Sequence, residues 1–216
     1  MIDSLISELP RAKNDSNHVN ILSAICYYYY EINPTLGLKY GKEALTLAET
    51  LQLEYGKAHV YGNLACNYLS LSDYPKALEL WTKSLQVYEK HGYKFEIANT
   101  LLNMANVYES QADYQKALEI DLNALKVFEE IQRKSSSIVL GNIGYIYFQM
   151  NENSKALDYY SRALENYKRD NSKSGVASML GYMGEVYSKQ SDYEKAIEYL
   201  MKARMMKLMP MVRKLP

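Results

Sequence analysis

AHVYGNLACNYLSLSDYPKALELWTKSLQVYEKHG, residues 58–92, is the stretch that decides the fold. Its first half puts Tyr61, Leu64, Ala65 and Tyr68 at i, i+3, i+4 and i+7, one stripe of a 3.6-residue helix. The polar break SLSDYP at 70–75 ends that helix, and Asp73 is suited to cap the next one by accepting bonds from orphan N–H groups. Beyond the break Leu78, Trp81 and Leu85 resume helical spacing. The stretch reads as two helices joined by a tight turn.

The same pattern returns along the chain. Ala77 recurs as Ala117, Ala156 and Ala196 at spacings of 40, 39 and 40, and Gly37 lies 40 before it. Seven residues after each stands another small residue: Ala44, Ser84, Ala124, Ala163, Ala203. Nine residues before each stands a tyrosine: Tyr28, Tyr68, Tyr108, Tyr147, Tyr187. The apolar stripe reappears as Leu101, Met104, Ala105, Tyr108, then as Leu140, Ile143, Gly144, Tyr147 and Leu180, Met183, Gly184, Tyr187. A fixed period in the 20–50 range means stacked supersecondary units rather than one globular core.

Local chemistry fits this reading. Asp113 and Asp192 repeat the capping position of Asp73 in SQADYQ (110–115) and SKQSDY (188–193), while QMNENS (149–154) is the equivalent break without an aspartate. Gly56 and Gly92 are expected in connections, where helix C-caps favour glycine. Ala65, Ala105, Gly144 and Gly184 let each first helix approach its partner closely.

The pattern large–x2–large–small–x2–Tyr, then Ala nine later and a small residue seven beyond, resembles the tetratricopeptide repeat. The resemblance covers about residue 18 to Ala203, in units near 18–55, 58–95, 98–134, 137–174 and 177–203. Most units run 40 residues rather than the family's usual 34, which is similar to kinesin light chains and bacterial regulatory proteins. The opening IDSLISELPRAKNDSNHVNIL with NPTLGLKYGKEALTLAE looks most like N-terminal regions of bacterial sensor kinases and cyclases. The resemblance implies an all-α, right-handed α-solenoid of five helix-turn-helix repeats. Residues 1–17, with Ile2, Leu5, Ile6 and Leu9 in helical register, are expected to cap it. Residues 204–216 form a non-repeat, basic, methionine-rich tail.

Three places depart from the pattern. In the first unit Ile25 replaces the small residue, and Gly37 and Gly41 replace Ala and an aromatic, as a capping repeat would. In the third, Asp121 stands where others have Trp81, Tyr160 and Leu200. The expectation is that Asp121 tilts to solvent or bonds a tyrosine hydroxyl, with a functional buried acid as the alternative. After Ala203 the columns lose register, Arg204 standing for leucine and Lys207 for an aromatic. That tail reads as a truncation scar or altered frame, against a methionine-rich interaction helix or a membrane-surface segment.

Charge excludes some partners. The chain is formally neutral, but residues 1–200 carry 20 basic and 25 acidic side chains, a net of −5. No basic groove for nucleic acid is implied. No apolar run spans a membrane and no signal peptide is legible at the start, so the expected setting is cytoplasmic, or periplasmic if a leader has been removed.

The face turned away from each packed stripe carries amides. Asn99, Asn103, Asn106 and Ser110 line it in the third unit, and His59, Asn63, Cys66 and Ser70 in the second. Ile138, Asn142, Tyr145 and Gln149 do so in the fourth. An ordinary solvated face holds Lys and Glu, whereas asparagine disfavours a helix interior by about 0.5 kcal/mol relative to alanine. An amide pairs with both polar groups of an extended peptide backbone, and the family's concave groove lies on this face. The expected groove contacts are Asn63, Asn99, Asn103, Asn106, Asn142 and Tyr145, with Tyr30 a further anchor. Leu22, Gly62, Leu102 and Gly141 fill the column where chaperone-tail clamps carry cations, and Lys189 alone makes no clamp.

No catalytic constellation or phosphate-cradling loop is present, and no cofactor or metal is implied. Cys26, Cys66 and His59 lack further ligands for a metal and read as moderately buried groups. The sequence therefore points to a non-catalytic module binding a protein or peptide partner. The alternative is a sensory or regulatory segment of a larger bacterial signalling protein, dimerising through its C-terminal repeat.

Overall fold

The computed structural model describes residues 2–11, 13, 15–131 and 136–212, with side chains described for all but Arg11 and 208–212. Among the described residues every regular element is helical. A short α1 (Ile2–Glu8) and a single 3-10 turn (Leu9–Arg11) precede five helix pairs. The pairs are α2 (Ser16–Tyr29) with α3 (Pro34–Thr50), α4 (Glu54–Ser70) with α5 (Tyr74–His91), and α6 (Lys94–Ser110) with α7 (Tyr114–Glu130). They continue with α8 (Ser136–Gln149) and α9 (Asn153–Arg169), then α10 (Lys173–Lys189) and α11 (Tyr193–Val212). Helix α11 runs on past Ala203 through the stretch read as a tail, and Arg213 and Lys214 lie outside the described residues. The chain divides into two compact units, Met1–Val107 and Tyr108–Pro216.

One turn design recurs between helices. Gln52, Ser72, Gly92, Ala112, Asn151, Asn171 and Ser191 all take left-handed backbone, with φ between 55 and 70°. The next residue reaches back to a carbonyl five positions earlier: Asp73 to Tyr68, Asp113 to Tyr108, Glu152 to Tyr147, Asp192 to Tyr187. That is the 6→1 bond of a Schellman cap, and it satisfies a carbonyl the ending helix leaves open. The aspartates then serve the following helix, since Asp73, Asp113 and Asp192 accept from the N–H groups of Lys76, Lys116 and Lys195. Tyr68, Tyr108 and Tyr187 thus each end one helix through the carbonyl while the aspartate five residues on caps the next. Gly92 is a left-handed cap as expected; Gly56 is not. It sits inside the first turn of α4, and Gln52 makes the turn instead.

Volume is exchanged between paired columns. A Cβ on Gly144 would come within 2.6 Å of the Tyr160 ring, and one on Gly184 within 2.8 Å of Leu200. Large residues on the second helix therefore require almost nothing opposite. In the first pair the sizes are reversed. Ile25 is fully buried, and Gly41 is so closely covered that a Cβ would approach Leu64 to 2.5 Å and Cys26 Sγ to 2.7 Å. Close packing tolerates this swap because it preserves total volume.

The first unit buries Val19, Leu22, Cys26, Ala44, Val60, Leu64, Leu80 and Trp81 in one cluster, with Leu9 packed on its edge. In the second unit the column tyrosines pair with rings twelve residues on, Tyr147 with Tyr159 at 5.4 Å and Tyr187 with Tyr199 at 5.3 Å. Lysines lie over them, Lys155 at 5.0 Å from Tyr147 and Lys195 at 5.2 Å from Tyr187. A cation over an aromatic face contributes about 0.5–1 kcal/mol at such exposed sites.

Candidate functional site

Each unit holds a cleft on the amide-bearing side of its first helices. In the first unit a cleft of about 280 Å³ is walled by aromatic rings from Tyr27, Tyr55, Trp81, Tyr88 and Phe95. Asn63, Asn99 and Asn103 line it, together with His59, Cys66 and Glu96. The rings are organised: Tyr55 meets Tyr93 edge-on at 5.1 Å and donates its hydroxyl to Glu96 at 3.0 Å.

The amides in this cleft differ in what they have left to offer. Asn63 is buried, and its Nδ2 donates to the Ser23 carbonyl at 3.1 Å and to Ser23 Oγ at 2.8 Å. Both of its donors hold α4 against α2, so the expectation that Asn63 presents a free amide is corrected. Only its acceptor oxygen remains for a ligand. With Ser23 Oγ accepting from Asn63, the serine hydrogen is left for His59 Nδ1, 3.1 Å away. That assigns the His59 proton to Nε2, and burial lowers the His59 pKa, so the ring is neutral near pH 7. Asn99 donates to the Phe95 carbonyl of its own helix at 3.1 Å. Asn103 is half-buried in the cleft wall, and Asn106 is half-buried on the same helix.

Asn67 was not among the residues read from sequence. It is fully buried and donates to the Cys26 and Asn63 carbonyls, each at 2.9 Å. The available signal was an amide in a column otherwise filled by Val107, Ile146 and Val186. Cys26 and Cys66 are free thiols that burial pushes up to about 12 and about 11, so neither is a ready nucleophile.

Trp81 is 1% exposed yet lines this cleft, and its Nε1–H has no hydrogen-bond partner among the described residues. An indole N–H buried without an acceptor is an uncommon and unfavourable state. A carbonyl or carboxylate oxygen that reached Nε1 would relieve it.

In the second unit Asn142 and Tyr145 share a cleft of about 340 Å³ with Glu109, Ile138, Tyr167, Met179 and Tyr182. Gly141 opens its floor. In the same unit the reading of Asp121 is overturned. Asp121 is 1% exposed and neither carboxylate oxygen has a partner among the described residues, so it neither tilts to solvent nor bonds a tyrosine. Burial, helped by the Glu109 charge, pushes its pKa up to about 8. Lys189 takes no part, since its ammonium bonds the Phe148 carbonyl at 3.2 Å and covers that ring. Tyr30, the further anchor, bonds its neighbour Glu31.

No group of His, Cys, Asp and Glu among the described residues has the arrangement to hold a metal. No helix there is long and apolar enough to cross a membrane.

Three family models of the tetratricopeptide repeat match, at residues 58–91, 96–169 and 177–204. No curated protein sequence gives a match. Among solved structures the chain is similar to BtubC (BKLC) from P. vanneervenii, with a TM-score of 0.85 at 20% identity over 100% of this chain and 92% of that one. It is similar to aspartyl phosphate phosphatase F from Bacillus subtilis, with a TM-score of 0.77 at 16% identity, covering 93% of this chain but only 62% of the phosphatase. A Rap protein complexed with competence and sporulation factor gives 0.76 at 16% identity, over 95% of this chain and 68% of the other. At these identities the likeness speaks for the fold. The chain carries tetratricopeptide repeats over the three matched segments and is an α-solenoid of helical repeats.

Proposed function

We propose that this chain is a non-catalytic interaction module that holds an extended segment of a partner protein in the cleft of its first unit. The observation that carries this reading is a cleft wall that joins Asn99 and Asn103 to Trp81, a residue whose Nε1–H has no partner among the described residues. A peptide backbone supplies both the acceptor that the indole lacks and the donors that an amide oxygen accepts. Rings from Tyr27, Tyr55 and Tyr88 would receive apolar side chains. The Rap protein complexed with competence and sporulation factor lends a precedent for this fold holding a bound factor. Asn142 and Tyr145 belong to the same reading in the second unit, and a cytoplasmic setting accompanies it.

Trp81 is the chain's only tryptophan, so its emission reports on this cleft directly. A peptide selected from a random library on the immobilised protein should shift Trp81 emission saturably. Asn103→Ala together with Asn142→Ala should weaken it about tenfold or more, the scale of one or two hydrogen bonds, with helical content unchanged. Peptides that bind with Trp81 emission and Asn103→Ala affinity unaltered would remove the groove from the account.

A second reading rests on α11. Tyr193, Ile197, Met201 and Met205, four residues apart, are each about 60% exposed on one face of that helix. We infer that a second copy of this chain covers the stripe when the chain acts as a regulatory segment of a larger signalling protein. Sedimentation equilibrium tests it: a dimer that Met201→Lys dissociates supports the idea, and a monomer at 100 μM (roughly the top of a useful range) ends it.

A further inference from the structure

Among the described residues lining the cleft of the first unit, Glu96 alone carries a formal charge near pH 7. His59 is neutral there, and no lysine or arginine lines the wall. Glu96 is half-buried near the start of α6, and its Oε1 accepts the Tyr55 hydroxyl at 3.0 Å. The acid is thereby tied to the aromatic wall, and it forms no ion pair among the described residues.

The rings of that wall lack cations too. Elsewhere the chain lays its own over tyrosines: Lys83 lies 5.9 Å from Tyr61, Lys116 4.6 Å from Tyr108 and Arg162 4.9 Å from Tyr159. No lysine or arginine among the described residues covers Tyr27, Tyr55 or Tyr88 in this way. Tyr27 and Tyr55 are each 44% exposed, and Tyr88 packs on Tyr55 at 5.9 Å.

A carboxylate set among aromatic faces favours one kind of occupant. A cation gains from the ring faces and from a charge-assisted hydrogen bond to the acid. A wholly apolar side chain lying over Glu96 would strip water from a charge and replace it with nothing. An anion would be repelled. Lysine and arginine combine a cationic head with an aliphatic stem that packs on apolar surface.

We propose that the cleft of the first unit takes a lysine or arginine side chain of the partner protein, its cation held by Glu96 and its stem against Tyr27 and Tyr55. The proposal rests on the groove reading above and deepens it: among side chains apolar enough for these rings, the acid selects one that ends in a cation.

The test follows Trp81 emission of the full chain. Acetyl-Gly-Gly-Lys-Gly-Gly-amide, its Arg and norleucine counterparts and tetramethylammonium chloride are each titrated to about 10 mM, enough to detect millimolar affinity. A saturable shift is expected with the Lys or Arg peptide. The norleucine peptide should bind about fivefold more weakly or worse, the scale of one cation–aromatic or ion-pair contact. Glu96→Gln should cost the cationic peptides about the same factor and leave the norleucine peptide unchanged. Gln still offers an oxygen to the Tyr55 hydroxyl. Tyr27→Ala, at an exposed ring, is the second variant and should weaken the cationic peptides about threefold.

Equal affinity for the Lys and norleucine peptides, no shift with either cationic peptide, or no loss in Glu96→Gln overturns the subsite. Tighter binding of tetramethylammonium than of both cationic peptides overturns the assignment to a partner side chain. The library-selected peptide separates the two readings. If it shifts Trp81 emission and binds Glu96→Gln as well as the parent, the groove stands and the subsite falls.

Discussion

The Asn67 amide occupies the space that a side chain at Gly37 would need: a Cβ built there overlaps its oxygen and lies 2.8 Å from its Cγ. The two departures from the repeat pattern are thus one. Elsewhere the same register, 29 or 30 residues apart, matches Ala77 with Val107, Ala117 with Ile146 and Ala156 with Val186, all fully buried. Gly37→Ala alone should therefore destabilise the first unit by about 1–3 kcal/mol through overpacking. Adding Asn67→Val restores the array's usual pair and should recover most of that loss. Urea unfolding of the single and double variants measures the coupling, and additive effects would show that the two sites are independent.

Ser23 links Asn63 to His59, and that chain has a pH signature. Burial lowers the His59 pKa below its ordinary 6.5, so as pH falls the unfolded chain takes up the proton first. Stability from this source is intact above pH 6.5 and declines as pH drops through that value, levelling off once the folded state also protonates. Protonated Nδ1 also ceases to accept from Ser23. His59→Gln should flatten the difference in unfolding free energy between pH 7 and pH 5, and an unchanged pH slope would place His59 outside the network.

The fold was legible because its signals are local and repeated. Ala77, Tyr68 and Asp73 recur at one period, and each acts through its own helix or its own cap. What stayed hidden depends on partners a linear pattern does not show. Asn63 and Asn103 occupy equivalent positions, yet only the first meets a serine hydroxyl on the preceding repeat, and that contact converts it from presented amide to internal tie. Asp121 reads as surface-compatible because an aspartate on a long helix usually finds water. Its burial follows from packing on every side. The idle donor of Trp81 is likewise invisible, since the sequence marks Trp81 only as a core residue.

Asp121 makes the opposite pH prediction to His59. Its folded pKa is raised from 3.8 to about 8, so between those values the folded state holds a proton that the unfolded state has lost. Stability should be greatest at low pH and fall as pH rises from about 4 to 8, then stay flat. Asp121→Asn removes that slope and should be more stable than the parent at pH 8 by about 2–5 kcal/mol. Denaturation of both proteins at pH 5 and pH 8 isolates the effect, because Glu109, also raised by burial, is present in each. Parallel curves would mean that water or a rearranged partner already satisfies the acid.

The turns carry a last prediction. Ala112 is exposed with φ 58°, a conformation in which an alanine Cβ crowds the following carbonyl at a cost of about 1–2 kcal/mol. Glycine relieves the crowding but gives back part of the gain in unfolded-chain entropy. Ala112→Gly should therefore stabilise the second unit by about 0.5–1 kcal/mol. Asn151 and Asn171 hold the same geometry at φ 63° and 55°, but asparagine tolerates it, so their replacement by glycine should gain much less. Gly92 provides the control: Gly92→Ala puts the crowding where it is now absent and should destabilise by a similar amount. Thermal melts of the four variants test the ordering. Equal shifts for Ala112→Gly and Asn151→Gly would show that chain entropy alone, rather than the left-handed backbone, governs these connections.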